Sequence, residues 1–341
     1  YRKVYEKFLP YINNNFDFAE MLSEMLGELN ASHTGCRYYG GTASLSTAAL
    51  GAFFDPNYEG DGLKIQEVIK RGPFAVKKNE VTAGCIIEKI DGEAIKAGMD
   101  YNALLDGKAG KNVRLTIRNT KGKTFDLTIK AISQGNQQEL LYKRWVDRNR
   151  AIVDSVSKGR IAYVHVKAMN SESFRTVYSE LLSDKNRNKD AVIVDERHNG
   201  GGWLHDDLCT LLNGKQYQEF VPHGKVVGKD PFNKWTKPSC VLICEDDYSN
   251  GHGFPWVYKE LGIGKLIGTP VAGTMTAVWW ETLMDRSLVF GIPQVGCRDM
   301  RGTFGENTTL YPHVEVYNSP EDYITGHDTQ LIRAVEEMMK K

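Results

Sequence analysis

The sequence predicts an α/β protein in which a small β-rich domain is inserted between an N-terminal helical segment and the main body. Three observations carry this expectation. In the C-terminal half, apolar strand-like runs at 161–166, 191–194, 241–244 and 266–268 alternate with helical patterns at 171–182, 204–212, 253–261 and 327–339. Alternation of that kind builds a sheet with parallel strands, because each parallel connection needs a crossover, usually a helix. Between about 63 and 132 the texture changes to short alternating strands with turn residues between them. Finally, a chain of 341 residues is too long for one ordinary domain and suits two or three. The boundaries that follow are 1–60 for the helical segment, 61–132 for the insert and 133–341 for the main body.

Taken in order, residues 1–30 read as two helices. Met21, Leu22, Met25, Leu26 and Leu29 make a stripe at helical spacing, and Asp17 is the expected cap of the second helix. That helix ends near 27–30, which leaves Ser32 and His33 on the turn that follows. A polar, glycine-rich passage (Gly40, Gly41, Thr42, Ser44, Ser46) then leads to 50–54 and a turn over 55–60. Within the insert, strands are expected at 63–65 and 85–90, the latter ending at Asp91-Gly92, a strong hairpin signal. Strands at 113–117 and 125–129 flank Thr120-Lys121-Gly122-Lys123, and 103–105 reads as a short helix. A polar connector over 133–138 enters the main body.

Composition excludes several function classes. Hydrophobic content of 41% and charged content of 25% describe a globular chain with material for a sizeable core. Lys plus Arg and Asp plus Glu both number 43, so zero net charge gives no electrostatic case for nucleic acid or an anionic membrane as partner. No run approaches the ~18 apolar residues of a membrane span, and no signal-peptide pattern opens the chain. Tyr1 is not an initiator, so the sequence reads as a fragment or a processed form, and its compartment stays open. None of the six cysteines forms a CxxC pair. Cys240 and Cys244 would sit ~13 Å apart on one strand, too far for a disulfide, so the cysteines read as small buried thiols. Nothing implies a cofactor or a resident metal, and there is no phosphate-binding glycine loop.

Four segments could carry chemistry. Asp195-Glu196-Arg197-His198-Asn199-Gly200-Gly201-Gly202 follows an apolar strand, and three glycines let backbone amides approach a ligand and stabilise an oxyanion. The plainer reading is a tight strand-to-helix turn. Val241 to Cys244 runs into Glu245-Asp246-Asp247-Tyr248-Ser249-Asn250-Gly251, which places a hydroxyl between a strand and a helix, with free amides behind it. Here the plainer reading is a serine N-cap, and the G-x-S-x-G elbow is absent. Gly27-Glu28-Leu29-Asn30-Ala31-Ser32-His33-Thr34-Gly35 holds a histidine that could equally be a surface residue. Glu306-Asn307 lies in a polar stretch and on its own reads as a solvated loop acid.

Together and in this order, these segments resemble the tricorn core protease branch of the C-terminal processing (tail-specific) serine peptidases. GELNASHTG resembles the segment with that family's Ser-His pair, residues 63–132 its inserted PDZ domain, and DERHNGGG its oxyanion loop. CEDDYSNG resembles the nucleophile segment, GENTTLYPHVEV the segment with its glutamate, and GHDTQLIRAVEEMMKK its closing helix. The resemblance implies a ClpP/crotonase-like α/β core with Ser249 as nucleophile, His33 as general base, and Ser32 and Glu306 as its orienting partners. The amides of Asn250 and Gly201 are the implied oxyanion hole. It also implies a peptide or unfolded protein as substrate, a homo-oligomer, and a bacterial or archaeal source, cytoplasmic or extracytoplasmic. Two departures stand out. Tricorn-type members usually carry aspartate where this chain has Asn250, and position 274, where a related branch places a catalytic lysine, is Thr274.

Three rival readings remain at this level. A catalytically inactive PDZ-bearing relative would grip peptide tails by strand addition. A metal hydrolase would draw on His198, His205, Asp206, Asp207 and His252, which match no recognised ligand spacing. A lipase-like esterase rests only on the glycine triplet.

Overall fold

Five strands, each parallel to its neighbour, form the centre of the main unit, in the order Ile161–His165, Ala191–Asp195, Ser239–Ile243, Lys265–Gly268 and Val314–Glu315. In this computed structural model, residues 1–41, 46–77 and 80–340 are described; Thr42 and Ser44 of the polar passage lie outside them. Every residue of the first three strands is buried, as expected when both faces of a parallel sheet are covered. Helices Ser171–Leu181, His205–Leu212 and Asn250–Glu260 supply Val177, Leu208, Leu212, Phe254 and Tyr258 to a core shared with Val192, Val194, Val241 and Ile243. The closing helix Thr329–Met339 packs on three of the strands and buries Leu331, Ala334 and Val335.

The chain divides into two units, Tyr1–Gly41 with Asn149–Lys341, and Thr42–Arg148. This differs from the expected boundaries at both ends of the insert. Ala48–Ala49 pairs with Ile132–Ser133, and Ala52–Phe54 pairs with the strand Leu63–Val68, so residues before 61 join the smaller unit. Its sheet runs Ala52–Phe54, Leu63–Val68, Ile86–Ile90, Asn112–Arg118, Thr124–Lys130. The Asp91-Gly92 turn has both residues at positive φ (51° and 95°), the geometry that hairpin signal demands. The expected polar connector is instead the start of a 23-residue helix, Gln134–Val156, which carries only a thin apolar stripe.

In the main unit, helix Asn15–Gly27 packs Ala19, with Phe18 and Leu22, on Cys36, Leu288 and Phe290. Asn14, one turn earlier than the expected Asp17, caps it by accepting the Asp17 N–H; the Asp17 carboxylate accepts from Asn14 Nδ2 in return. Ser23 Oγ clasps the backbone of Cys36 through two hydrogen bonds, at 2.8 and 2.9 Å. Strand Gly35–Tyr38 then pairs with Leu288–Gly296, whose other neighbour is Thr276–Thr282. The turn between helix and strand, with Ser32 and His33, is thereby fixed at both ends. No helix among the described residues is long and apolar enough to cross a membrane.

A buried charge network anchors the loop after Ala191–Asp195. Arg197 donates to Asp195 Oδ1 and Oδ2 (3.0 and 2.7 Å), to both oxygens of Asp328 (3.0 and 2.9 Å) and to Gln330. Burial alone would raise the Asp195 carboxyl, but the guanidinium and the Tyr163 hydroxyl hold it below its ordinary value. Arg197→Ala leaves two carboxylates without their cation, one of them fully buried. Urea unfolding is expected to show a loss of about 3–5 kcal/mol; a loss below about 1 kcal/mol would contradict the anchoring role.

Candidate active site

His33, from the first segment of the main unit, and Ser249, from the second, line one cavity. His33, Gly202, Trp203, Ser249, Asn250, Met275, Thr276, Ala277 and Val278 enclose about 210 Å³. The Ser249 and His33 side chains share its wall without a direct hydrogen bond between them.

On the histidine side, Glu306 grips Ser32 twice: Oε1 accepts the Ser32 N–H at 2.5 Å and Oε2 accepts the Ser32 hydroxyl at 2.9 Å. Ser32 Oγ lies 2.7 Å from His33 Nδ1. A hydroxyl has one proton, and here it goes to the carboxylate, so Ser32 Oγ must accept from the ring. His33 is therefore protonated on Nδ1 and leaves Nε2 as a lone-pair acceptor. Thr276 Oγ1 stands 3.0 Å from the same Nδ1 and 2.9 Å from Ser32 Oγ. The His33 backbone is left-handed (φ 61°), and its N–H donates to Tyr248 Oη at 2.7 Å, with the two rings 4.8 Å apart. Asn307 holds the Glu306 loop in place by donating from its side chain to Asn30 O (2.8 Å) and from its N–H to Gly273 O (2.9 Å).

On the serine side, strand Ser239–Ile243 ends six residues before Ser249, and helix Asn250–Glu260 starts directly after it. Ser249 has φ 58° and ψ −119°, a conformation that costs a non-glycine residue of order 1–3 kcal/mol. Its N–H donates to Thr274 Oγ1 at 2.9 Å, so the position of the related branch's lysine holds a hydroxyl that ties down the turn. The Asn250 side chain caps helix His205–Leu212: Oδ1 accepts the N–H groups of Leu204 (2.7 Å) and His205 (3.1 Å). That fixes its amide orientation, so Nδ2 donates to His205 Nδ1 at 2.8 Å. An aspartate could not make this donation, which gives the departure at 250 a local partner.

The glycine loop is locked to the serine turn. Asn199 donates its N–H to Asp247 Oδ1 (3.1 Å) and accepts the Tyr248 N–H at its carbonyl (2.9 Å), while Asp247 Oδ2 accepts the Cys244 N–H (2.8 Å). At Gly201 (φ 94°) a Cβ would lie 2.6 Å from Ser249 Cβ, so only glycine permits the approach. The Gly201 N–H, expected to face a reacting carbonyl, donates instead to Asn199 Oδ1 at 2.9 Å. The glycine that borders the cavity is Gly202, whose N–H, like that of Asn250, has no protein acceptor among the described residues.

Ser32, His33 and Glu306 are thus joined by hydrogen bonds, and Ser249 and Asn250 meet His33 across the cavity. Thr276 was not anticipated; its role comes from lying on the edge strand beside His33, which no local pattern announces. Of the residues considered for a metal hydrolase, His205 pairs with Asn250, and Asp206 and Asp207 lie exposed on the same helix as His205. His252 is fully buried, and neither ring nitrogen has a hydrogen-bond partner among the described residues. These donors do not converge.

Burial lowers the His33 pKa below its ordinary value, while the nearby charge of Glu306 opposes the shift. Below the ordinary ~6.5 the unfolded chain takes up this proton more readily than the folded one, so the contribution to stability fades as pH falls through that window. Histidine NMR titration is expected to find His33 below ~6.5, and lower still in Glu306→Gln. An unchanged value in that variant would contradict the coupling.

Residues 160–316 match peptidase family S41, and residues 58–134 match the tricorn protease PDZ domain. The tricorn protease of Thermoplasma acidophilum is 27% identical over 99% of this chain and 32% of its own length. A tricorn protease homolog of Saccharolobus solfataricus is also 27% identical, over 99% of this chain and 32% of its own. A crystal structure of the tricorn protease superposes with a TM-score of 0.87 at 25% identity, covering 99% of this chain and 34% of that one. The chain spans about a third of the length of these relatives. The chain thus carries a peptidase family S41 domain and a tricorn protease PDZ domain, and it is similar to the tricorn proteases along nearly its whole length.

Proposed function

We propose that this chain is a serine peptidase that hydrolyses peptide bonds through an acyl-enzyme on Ser249. The observation that supports this most is the directed run of hydrogen bonds from Glu306 through Ser32 to His33 Nδ1. A serine hydroxyl is a weak nucleophile near neutral pH and needs a positioned base. In this reading Ser249 Oγ attacks the carbonyl carbon and His33 Nε2 takes its proton. The imidazolium so formed donates from Nδ1 to Ser32, and the Glu306 carboxylate offsets its charge through Ser32. His33 then passes the proton to the leaving amine, and water, activated by the same base, releases the acyl group.

The tetrahedral anion needs donors already in place, each worth roughly 3–4 kcal/mol. Asn250 N–H serves as one. For the second, the reading takes Gly202 in place of Gly201, because the Gly201 N–H is occupied by Asn199. Thr276 is a positioning residue that acts through His33. Peptide or unfolded-protein substrates, a PDZ unit that holds an extended peptide by strand addition, and assembly into a homo-oligomer complete the proposal.

Labelling with a fluorophosphonate probe separates this from the inactive PDZ-bearing relative. Wild type is expected to label at Ser249 and to hydrolyse unstructured peptides; Ser249→Ala is expected to do neither. A folded wild type that neither labels nor hydrolyses would sink the proposal. Thr276→Val is expected to lower kcat/KM about 10- to 100-fold, the value of a hydrogen bond to a charged group. It is also expected to move the acid limb of the pH profile downward, because the imidazolium loses an acceptor, with Thr276→Ser restoring both. An unmoved limb would reduce Thr276 to a packing residue.

A further inference from the structure

We propose that His198 Nδ1, Cys244 Sγ and Asp246 Oδ2 form a binding site for a divalent cation of the zinc class. The inference does not depend on the peptidase reading. The three donor atoms lie within 4.8 Å of one another, the Nδ1–Oδ2 separation being 2.9 Å and Nδ1–Sγ 3.8 Å. Zinc bonds at about 2.3 Å to sulfur and about 2.0–2.2 Å to nitrogen and oxygen, so tetrahedral donors stand roughly 3.3–3.7 Å apart. The imidazole and carboxylate therefore separate by about half an ångström to admit the ion and swing toward the sulfur. Both can do so, since the side chains of His198 and Asp246 are 51% and 66% exposed while Cys244 is buried.

A surface His–Asp pair accounts for two of these groups. It does not account for a buried thiol presented to the same ring nitrogen, nor for His198 in a left-handed backbone conformation (φ 66°). That conformation also directs the His198 N–H onto Cys244 Sγ at 3.2 Å, the outer-shell support that a thiolate ligand uses. One sulfur and one imidazole favour zinc over magnesium or calcium, which take oxygen donors. On binding, the Cys244 S–H bond breaks, the proton leaves to solvent and an S–metal bond forms. Thiolate and carboxylate then neutralise the 2+ charge, and water fills the fourth, outward position. His198 precedes the glycine triplet and Cys244 ends the approach to Ser249. An ion here therefore staples the two loops already joined by Asn199 and Asp247.

The test is calorimetric titration of the reduced, chelator-stripped chain with zinc chloride, paralleled by cobalt(II) absorption spectra. One equivalent is expected to bind, with a thiolate-to-cobalt charge-transfer band and affinity rising with pH as the thiol proton is displaced. Cys244→Ser and Asp246→Asn are each expected to weaken binding by about 100-fold or more, and His223→Ala, an exposed histidine outside the donor set, to leave it unchanged. Asp246 is exposed, so its variant keeps the fold and the test does not hang on the buried cysteine alone. No binding at micromolar zinc, a cobalt spectrum without a thiolate band, or an Asp246→Asn affinity equal to wild type would overturn the proposal.

Discussion

The site rests on where one proton sits. Because Glu306 accepts the Ser32 hydroxyl hydrogen, Ser32 becomes an acceptor for His33 Nδ1–H, and the free lone pair of the ring must lie on Nε2. A carboxylate bonded directly to the imidazole would do the same with one residue fewer. Inserting a hydroxyl keeps the negative charge a step away, so Glu306 raises the basicity of His33 less than burial lowers it. Thr276 adds a second oxygen at Nδ1, which confines the ring from another side. The result is an imidazole kept neutral and turned in one direction.

The remainder of the main unit holds two strained segments against each other. His33 and Ser249 both occupy positive φ, and so does His198. Such conformations persist only where neighbouring contacts over-determine them. Here these contacts join side chain to backbone: Tyr248 to His33, Thr274 to Ser249, and Cys244 to His198. The parallel sheet supplies the rigid base, and the Arg197 network secures the glycine loop to the closing helix. Asn199 and Asp247 then set the spacing between that loop and the serine turn.

Much of this was legible in the sequence, for reasons that differ by residue. The central strands declared themselves as apolar runs because both sheet faces are covered. Ser32 and His33 were readable as turn residues because the helical pattern before them runs out near 27–30. Glu306 has no local signature and came only from resemblance across ordered segments. Thr276 was invisible, since its contact depends on an edge strand 243 positions from His33. The choice between Gly201 and Gly202 could not be made from three identical letters; it turns on the Asn199 side chain folding back two residues. Helix Gln134–Val156 was missed because a thin apolar stripe imitates a polar linker, and the unit boundary slipped because strand pairing recruits 48–54 into the insert.

The most direct test is the tautomer of His33 itself, read from the ¹⁵N shifts of its two ring nitrogens at neutral pH. A protonated Nδ1 and an unprotonated Nε2 are expected, with that preference lost when Ser32 is replaced by alanine. A ring protonated on Nε2 would contradict this, because the nitrogen proposed to receive the Ser249 proton would already carry one.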